Sequence, residues 1–268
     1  MRNLFRLILI LLSLTRVTVV FSQPSGQPHS IEVNGIRLYY ETFGQGKPLL
    51  LLHGWTQTGS FWKPYIDEYA KSYEVYVVDL RGHGKSSPLA KDFSIQRAAA
   101  DLRGMIQKLN LAPVRIIGLS YGGLLALEVA ASEGSMIDRM VLIGTSNRYI
   151  GKESLKDKPP FRYEQLEVSF KNYLKEQHPQ GEEQIRALFN PNLDYQINIP
   201  APVLEKIPTK VLIVNGDSDE IVGLNGAIEM HRHLPNSALW VIPQAGHLAL
   251  STDNQQEFIR LTKSFLSR

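Results

Sequence analysis

The chain has 268 residues, 43% hydrophobic and 21% charged, an ordinary globular composition with enough apolar material for one sizeable core. Its formal charge of +3 comes from 29 basic and 26 acidic residues; the first 22 positions hold three arginines and no acid, and without them the balance is 26 to 26. That balance gives no footing for a nucleic-acid or acidic partner, and the absence of cysteine excludes disulfides, thiolate nucleophiles and Cys-based zinc sites.

Arg2 and Arg6 precede an apolar run over 7–14, and Val20-Phe21-Ser22 offers a cleavage site before Gln23. This is the pattern of a secretory signal peptide over 1–22. The run is too short for a membrane span, and Arg16 keeps it from extending further. The expectation is export, periplasmic or secreted, with no stable membrane span after cleavage; the alternative is a membrane tether formed by an uncleaved segment. A linker over 23–30 comes next.

From Ile31, "IEVNGIRLYYETFG" holds two β-prone runs around Asn34-Gly35, a hairpin signal. Then "PLLLLHG" (48–54), "YEVYVVDLRGHG" (73–84), "VRIIGLS" (114–120), "RMVLIGTS" (139–146) and "KVLIVNGDSD" (210–219) repeat one plan, an apolar run and then a polar loop. Short runs without polar alternation suit parallel strands buried on both faces. "ALWVIP" (238–243) supplies one more strand. Helical periodicity lies between them over 94–109, 121–132 and 255–266. The expected domain at 31–268 is therefore α/β, with a mostly parallel eight-stranded sheet flanked by helices.

The alternation fails once. Between Thr145 and Lys210 no buried strand stands out, while 161–177 and 182–189 look helical. A compact domain rarely tolerates so long a plain loop. A helical cap inserted over one end of the sheet, at about 146–208, is expected.

Gly118-Leu119-Ser120-Tyr121-Gly122 matches G-x-S-x-G at a predicted strand–helix seam, the context of a nucleophile elbow. A serine hydroxyl needs a base. Of the seven histidines, His29 lies in the linker, His178 in the cap, and His53 and His83 in glycine loops. His231 and His233 share a predicted helix but point apart, which makes them a poor metal pair. His247 follows the last strand at its carboxyl end, where functional loops of α/β sheets gather. "NGDSDE" offers Asp217, Asp219 and Glu220 as the orienting acid. Asp217, directly after Gly216, suits a turn, and Asp219 sits further out toward an imidazole. The backbone N–H groups of Trp55 and Tyr121 are candidates for an oxyanion hole.

With "LLHGW", "DLRGHGKS", "GLSYGG", "NGDSDEIV" and "AGHLAL" in this order, the sequence resembles the α/β-hydrolase fold superfamily over about residues 31–266. The resemblance implies Ser120 as nucleophile, Asp219 as acid, His247 as base, and Trp55 and Tyr121 as the oxyanion pair. Asp79, Arg81 and His83 then brace loops. No cofactor and no metal are expected. Relatives with haloalkane dehalogenase or epoxide hydrolase activity carry Asp at the elbow, which Ser120 excludes. "HGWTQTG" departs from the H-G-G-P-G of proline iminopeptidases and the H-G-G-G of one lipase type. A small apolar ester or lactone is the expected substrate. Carbon–carbon bond hydrolysis, cofactor-free haloperoxidase-like activity and a non-catalytic receptor on the same fold stay open, because one triad serves many reactions. Phe161, Tyr163, Phe170, Tyr173, Phe189 and Tyr195, with Trp55, Phe61 and Trp62 from the fold, are candidates to line an apolar pocket beneath the cap, while most of them are expected to pack the cap onto the sheet.

Overall fold

A computed structural model of the chain describes residues 26–149, 162–190, 192–250 and 254–268. The proposed signal segment and its cleavage site lie outside these residues.

Strands β1 (Gln27–Val33) and β2 (Ile36–Phe43) form an antiparallel hairpin. Its turn places Asn34 at φ 49 and Gly35 at φ 76. Two successive left-handed residues are what a two-residue hairpin loop requires, and Asn-Gly supplies them at low cost. β1 begins at Gln27 and pairs Gln27 with Thr42 and Ser30 with Tyr39, so residues 27–30 are strand and not linker. Those four residues are exposed, as befits an edge strand, and carry no hydrophobic pattern to announce it.

Six further strands complete the sheet: β3 (Lys47–Leu52), β4 (Tyr73–Asp79), β5 (Val114–Leu119), β6 (Ile137–Ile143), β9 (Lys210–Gly216) and β10 (Ser237–Ile242). The order is β1-β2-β4-β3-β5-β6-β9-β10. Only the pairings of β2 are antiparallel; those from β4 through β10 are parallel. The central strands are buried on both faces, which is why their sequences read as unbroken apolar runs.

Helices α1 (Lys63–Ala70), α2 (Ile95–Lys108) and α3 (Tyr121–Ser132) follow β3, β4 and β5. In α2 the Ser94 hydroxyl accepts the Arg97 N–H at 3.2 Å, and Ile95, Ala98, Ala99, Leu102, Met105 and Ile106 turn to the sheet. Helix α1 had no sequence signal. It has eight residues, too few to establish a period, and opens with Pro64, which a first helical turn accommodates. Between β6 and β9 lie a two-stranded ribbon of β7 (Arg148–Tyr149) and β8 (Ile197–Asn198), and helices α4 (Val168–Gln177), α5 (Glu182–Ala187) and α6 (Ala201–Leu204). Helices α7 (Gly223–His233) and α8 (Gln255–Ser267) close the chain. One face of the sheet packs under α2, α3 and α7, and the other under α1 and α8.

Candidate active site

Ser120 sits between β5 and α3 at φ 48 and ψ −110. A non-glycine residue there is strained by about 1–3 kcal/mol, and the surroundings must hold it. They do so closely. A Cβ on Gly118 would lie 2.7 Å from the Gly123 nitrogen, and one on Gly122 would lie 2.6 Å from Leu52 Cβ. The G-x-S-x-G glycines are thus what lets helix and strands approach. The Ser120 N–H donates to Ile143 O at 2.7 Å, which ties the elbow to β6.

His247 and Asp219, distant in sequence, meet this serine. His247 Nε2 lies 3.0 Å from Ser120 Oγ, and His247 Nδ1 lies 3.0 and 3.2 Å from the two Asp219 oxygens. Nδ1 therefore carries the proton, and Nε2 offers its lone pair to the serine hydroxyl. Asp219 Oδ1 also accepts the N–H groups of Ile221 at 2.9 Å and Val222 at 3.1 Å. Burial pushes the Asp219 carboxyl up, but the hydrogen bond and electrostatic pull of the His247 Nδ1–H and the two amides outweigh it and hold the pKa below the ordinary value. Asp217 is exposed, with its carboxylate capped by the Ser218 hydroxyl at 2.9 Å, and Glu220 is exposed. Of the three acids, only Asp219 bonds the imidazole in this arrangement.

Trp55 lies in the loop after β3, and Tyr121 opens α3, where first-turn N–H groups have no intrahelical partner. The Gly122 N–H donates to His53 O at 3.1 Å, which seats the loop against the start of the helix. A hydroxyl, a neutral imidazole and a buried carboxylate in series form an arrangement able to add a serine oxygen to a carbonyl.

A family model described as "Alpha/beta hydrolase family" matches residues 49–261. The chain belongs to the alpha/beta hydrolase family. It is 26% identical to the pimeloyl-[acyl-carrier protein] methyl ester esterase of Aliivibrio fischeri, covering 86% of this chain and 98% of that one. It is 24% identical to the 2-hydroxy-6-oxo-6-(2'-aminophenyl)hexa-2,4-dienoic acid hydrolase of Metapseudomonas resinovorans, covering 89% and 90%. A solved meta-cleavage product hydrolase from Pseudomonas fluorescens has the same fold, with a TM-score of 0.73, 23% identity and coverage of 89% and 97%. These relatives are hydrolases, which supports an enzyme here.

In this hydrolase the "DLRGHGKS" loop is a bracing unit. Asp79 accepts the N–H groups of Gly59 at 2.8 Å and Lys85 at 2.9 Å. Arg81 grips Asp101 through Nε at 2.5 Å and Nη2 at 2.9 Å, with both side chains buried. His53 donates from Nδ1 to Gly54 O at 2.8 Å and accepts the Leu80 N–H on Nε2 at 3.0 Å. His83 donates from Nδ1 to Arg81 O at 3.0 Å and accepts the Thr56 N–H on Nε2 at 3.1 Å. Each ring is neutral by construction, since a second ring proton would face an amide donor. Burial lowers the pKa of His53 to about 4 and that of His83 well below its ordinary value.

Sequence reasoning did not find the residues that clamp the segment between β6 and β9 to this unit. His178 accepts the Gly84 N–H at 2.9 Å and donates to Thr56 O at 3.2 Å. Gln180 bonds the Gly84 and Ser86 carbonyls, and Gln184 those of Gly82 and Gly84. Gln177 meets Thr58 and Ser60. No local pattern marks them, because their partners lie about a hundred residues away.

Most of the aromatics that could have lined a pocket pack into cores, as expected for most of them. Trp62 is fully buried and, with Phe61, belongs to the core under α1 and α8. Tyr163, Phe170 and Phe189 join Leu174 and Ile185 in a small separate core. Tyr173 is partly exposed beside Phe170. Phe161 lies outside the described residues. Trp55 and Tyr195 do sit by the elbow: the Trp55 ring makes edge contacts with Tyr121 at 4.9 Å and Tyr195 at 4.5 Å. Trp55 Nε1 and the Tyr195 hydroxyl both donate to Leu188 O, at 3.1 and 3.0 Å.

Proposed function

We propose that this alpha/beta hydrolase cleaves a small, apolar carboxylic ester or lactone through an acyl-enzyme on Ser120. One observation carries the reading: the continuous hydrogen-bonded series Asp219–His247–Ser120, with the serine on a strained strand–helix turn. Ser120 Oγ attacks the carbonyl carbon as its proton passes to His247 Nε2. Asp219 holds the imidazole and stabilises its charged form. The N–H groups of Trp55 and Tyr121 receive the oxyanion; each such donor is worth about 2.7–4 kcal/mol of barrier. The intermediate collapses, and His247 returns the proton to the leaving alkoxide. Water, deprotonated by the same ring, then adds to the acyl-enzyme and releases the acid.

The segment over about 146–208 acts as the cap that selects substrate, with Trp55 and Tyr195 against the acyl group. Residues 1–22 direct export. The Aliivibrio relative's name supports the ester; the Metapseudomonas relative's name supports carbon–carbon hydrolysis of a dienoic acid as the second reading.

Hydrolysis of p-nitrophenyl esters and lactones of graded acyl length, beside a meta-cleavage dienoate, decides between the two. Ester turnover with fluorophosphonate labelling lost in Ser120→Ala is the expected result. No turnover and no labelling of the wild type would remove the reading.

A further inference from the structure

Thr56, the residue after the proposed oxyanion donor Trp55, stands at φ 65. A β-branched residue in the left-handed region is an outlier that its neighbours must enforce. Three hydrogen bonds do so. The Thr56 N–H donates to His83 Nε2 at 3.1 Å, and the Thr56 carbonyl accepts His178 Nε2–H at 3.2 Å. The Thr56 hydroxyl turns back to Trp55 O at 2.6 Å. The peptides on either side of Thr56 are thus each fixed by a neutral histidine whose other nitrogen is tied to the 81–84 loop.

The two rings differ in origin. His83 belongs to the "RGHG" loop after β4. His178 caps α4, its N–H donating to Leu174 O at 2.9 Å, and is 1% exposed. The segment proposed as the cap therefore holds one end of the turn that sets Trp55.

We propose that His178 is a positioning residue for the oxyanion hole. Its Nε2–H···O=C bond holds the left-handed turn at Thr56, and so keeps the Trp55 N–H aimed where the substrate oxygen develops charge. This rests on the acyl-transfer reading above. It makes the oxyanion hole depend on a docked cap.

The two nitrogens of His178 can be separated by substitution. In His178→Gln the amide Nε2–H reaches the place of the imidazole Nε2 and keeps the Thr56 link. In His178→Asn the amide oxygen replaces Nδ1, so the Gly84 link is kept and the Thr56 link is lost. Gln180→Ala controls for general loosening, since it removes contacts to Gly84 and Ser86 and leaves Thr56 alone.

Two measurements are made on the full chain: kcat and KM for a p-nitrophenyl ester, and amide hydrogen exchange of the peptide covering 53–58. His178→Asn should lower kcat about ten- to a hundredfold, below the full loss of one oxyanion donor, with KM nearly unchanged and faster exchange. His178→Gln and Gln180→Ala should keep kcat within about threefold and leave the exchange slow. Equal kcat in the Asn and Gln variants, or an equal loss in Gln180→Ala, overturns the proposal. So does unchanged exchange in His178→Asn, whether or not the ester is cleaved. Wild-type protein that cleaves no ester, while His178→Asn still loosens 53–58, supports the clamp and strikes down the acyl-transfer reading instead.

Discussion

Acidification from pH 7 to pH 5 should destabilise this protein by several kcal/mol, through rings that do no chemistry. His53 and His178 are fully buried and neutral, with pKa values lowered to about 4, in both cases chiefly by burial. In the unfolded chain each has the ordinary value of about 6.5. The folded pKa is the lower one, so between the two values the unfolded state binds more protons and stability falls as pH falls. Both rings are neutral in either state above about pH 7. At pH 5 an unfolded ring is mostly charged while the folded ring is still about 90% neutral, and the linkage integral comes to about 1.8 kcal/mol per ring. The two rings together give about 3.5 kcal/mol, and His83, lowered by burial and by its two neighbouring rings, adds in the same direction.

Carboxylates whose pKa is depressed, such as Asp219, lose their contribution only at lower pH, outside this window. Asp79 works the other way. Burial raises its carboxyl against the pull of the Lys85 and Gly59 amides, so acid favours its folded form. Comparison with His178→Gln cancels that opposing effect. Urea unfolding at pH 7, 6 and 5 measures the drop in both proteins. The Gln variant should lose about 1.8 kcal/mol less than the wild type across the range. Equal drops would refute the neutral-ring account of His178.

Asp219→Asn should cut kcat for a p-nitrophenyl ester by about 10³–10⁴-fold while the fold is kept, because the amide stabilises the wrong imidazole tautomer; near-normal turnover would move the acid's role elsewhere. Tyr121→Phe should leave stability within about 1 kcal/mol of the wild type and preserve activity. The Tyr121 hydroxyl is buried and has no hydrogen-bond partner among the described residues, and the proposed mechanism uses only the backbone N–H of that residue. A thermal melt and the same esterase assay check this, and a large loss in either contradicts it. Asp101→Ala strands the Arg81 guanidinium, whose side chain is 7% exposed, and should cost about 3–5 kcal/mol in urea unfolding. A change below about 1 kcal/mol would show that the pair is not a brace.

The Ser120, Asp219 and His247 series was legible because each member lies in the loop that follows a parallel strand. Ser120, Asp219 and His247 follow β5, β9 and β10 on one edge of a parallel sheet, so chain order and strand pattern brought them together before any distance was known. What escaped depends on how side chains leave loops. Trp55 and Trp62 are seven positions apart in one loop region, and sequence alone offers either as a pocket residue or a packing residue. The structure sends Trp55 to Tyr121 and Tyr195, and Trp62 into the core on the opposite face of the sheet. The short 3-10 turn Gly59–Trp62 divides them. Its start is set by the Thr58 hydroxyl, which accepts the Ser60 N–H, and by the Asp79 carboxylate, which accepts the Gly59 N–H at 2.8 Å from 20 residues away. The same Asp79 accepts the Lys85 N–H, and the 81–84 loop between them carries the partners of His83 and His178. The direction of Trp62, the turn at Thr56 and the seat of the segment between β6 and β9 are therefore consequences of one buried loop. Its reach is long-range, and no window of sequence around any of those residues contains it.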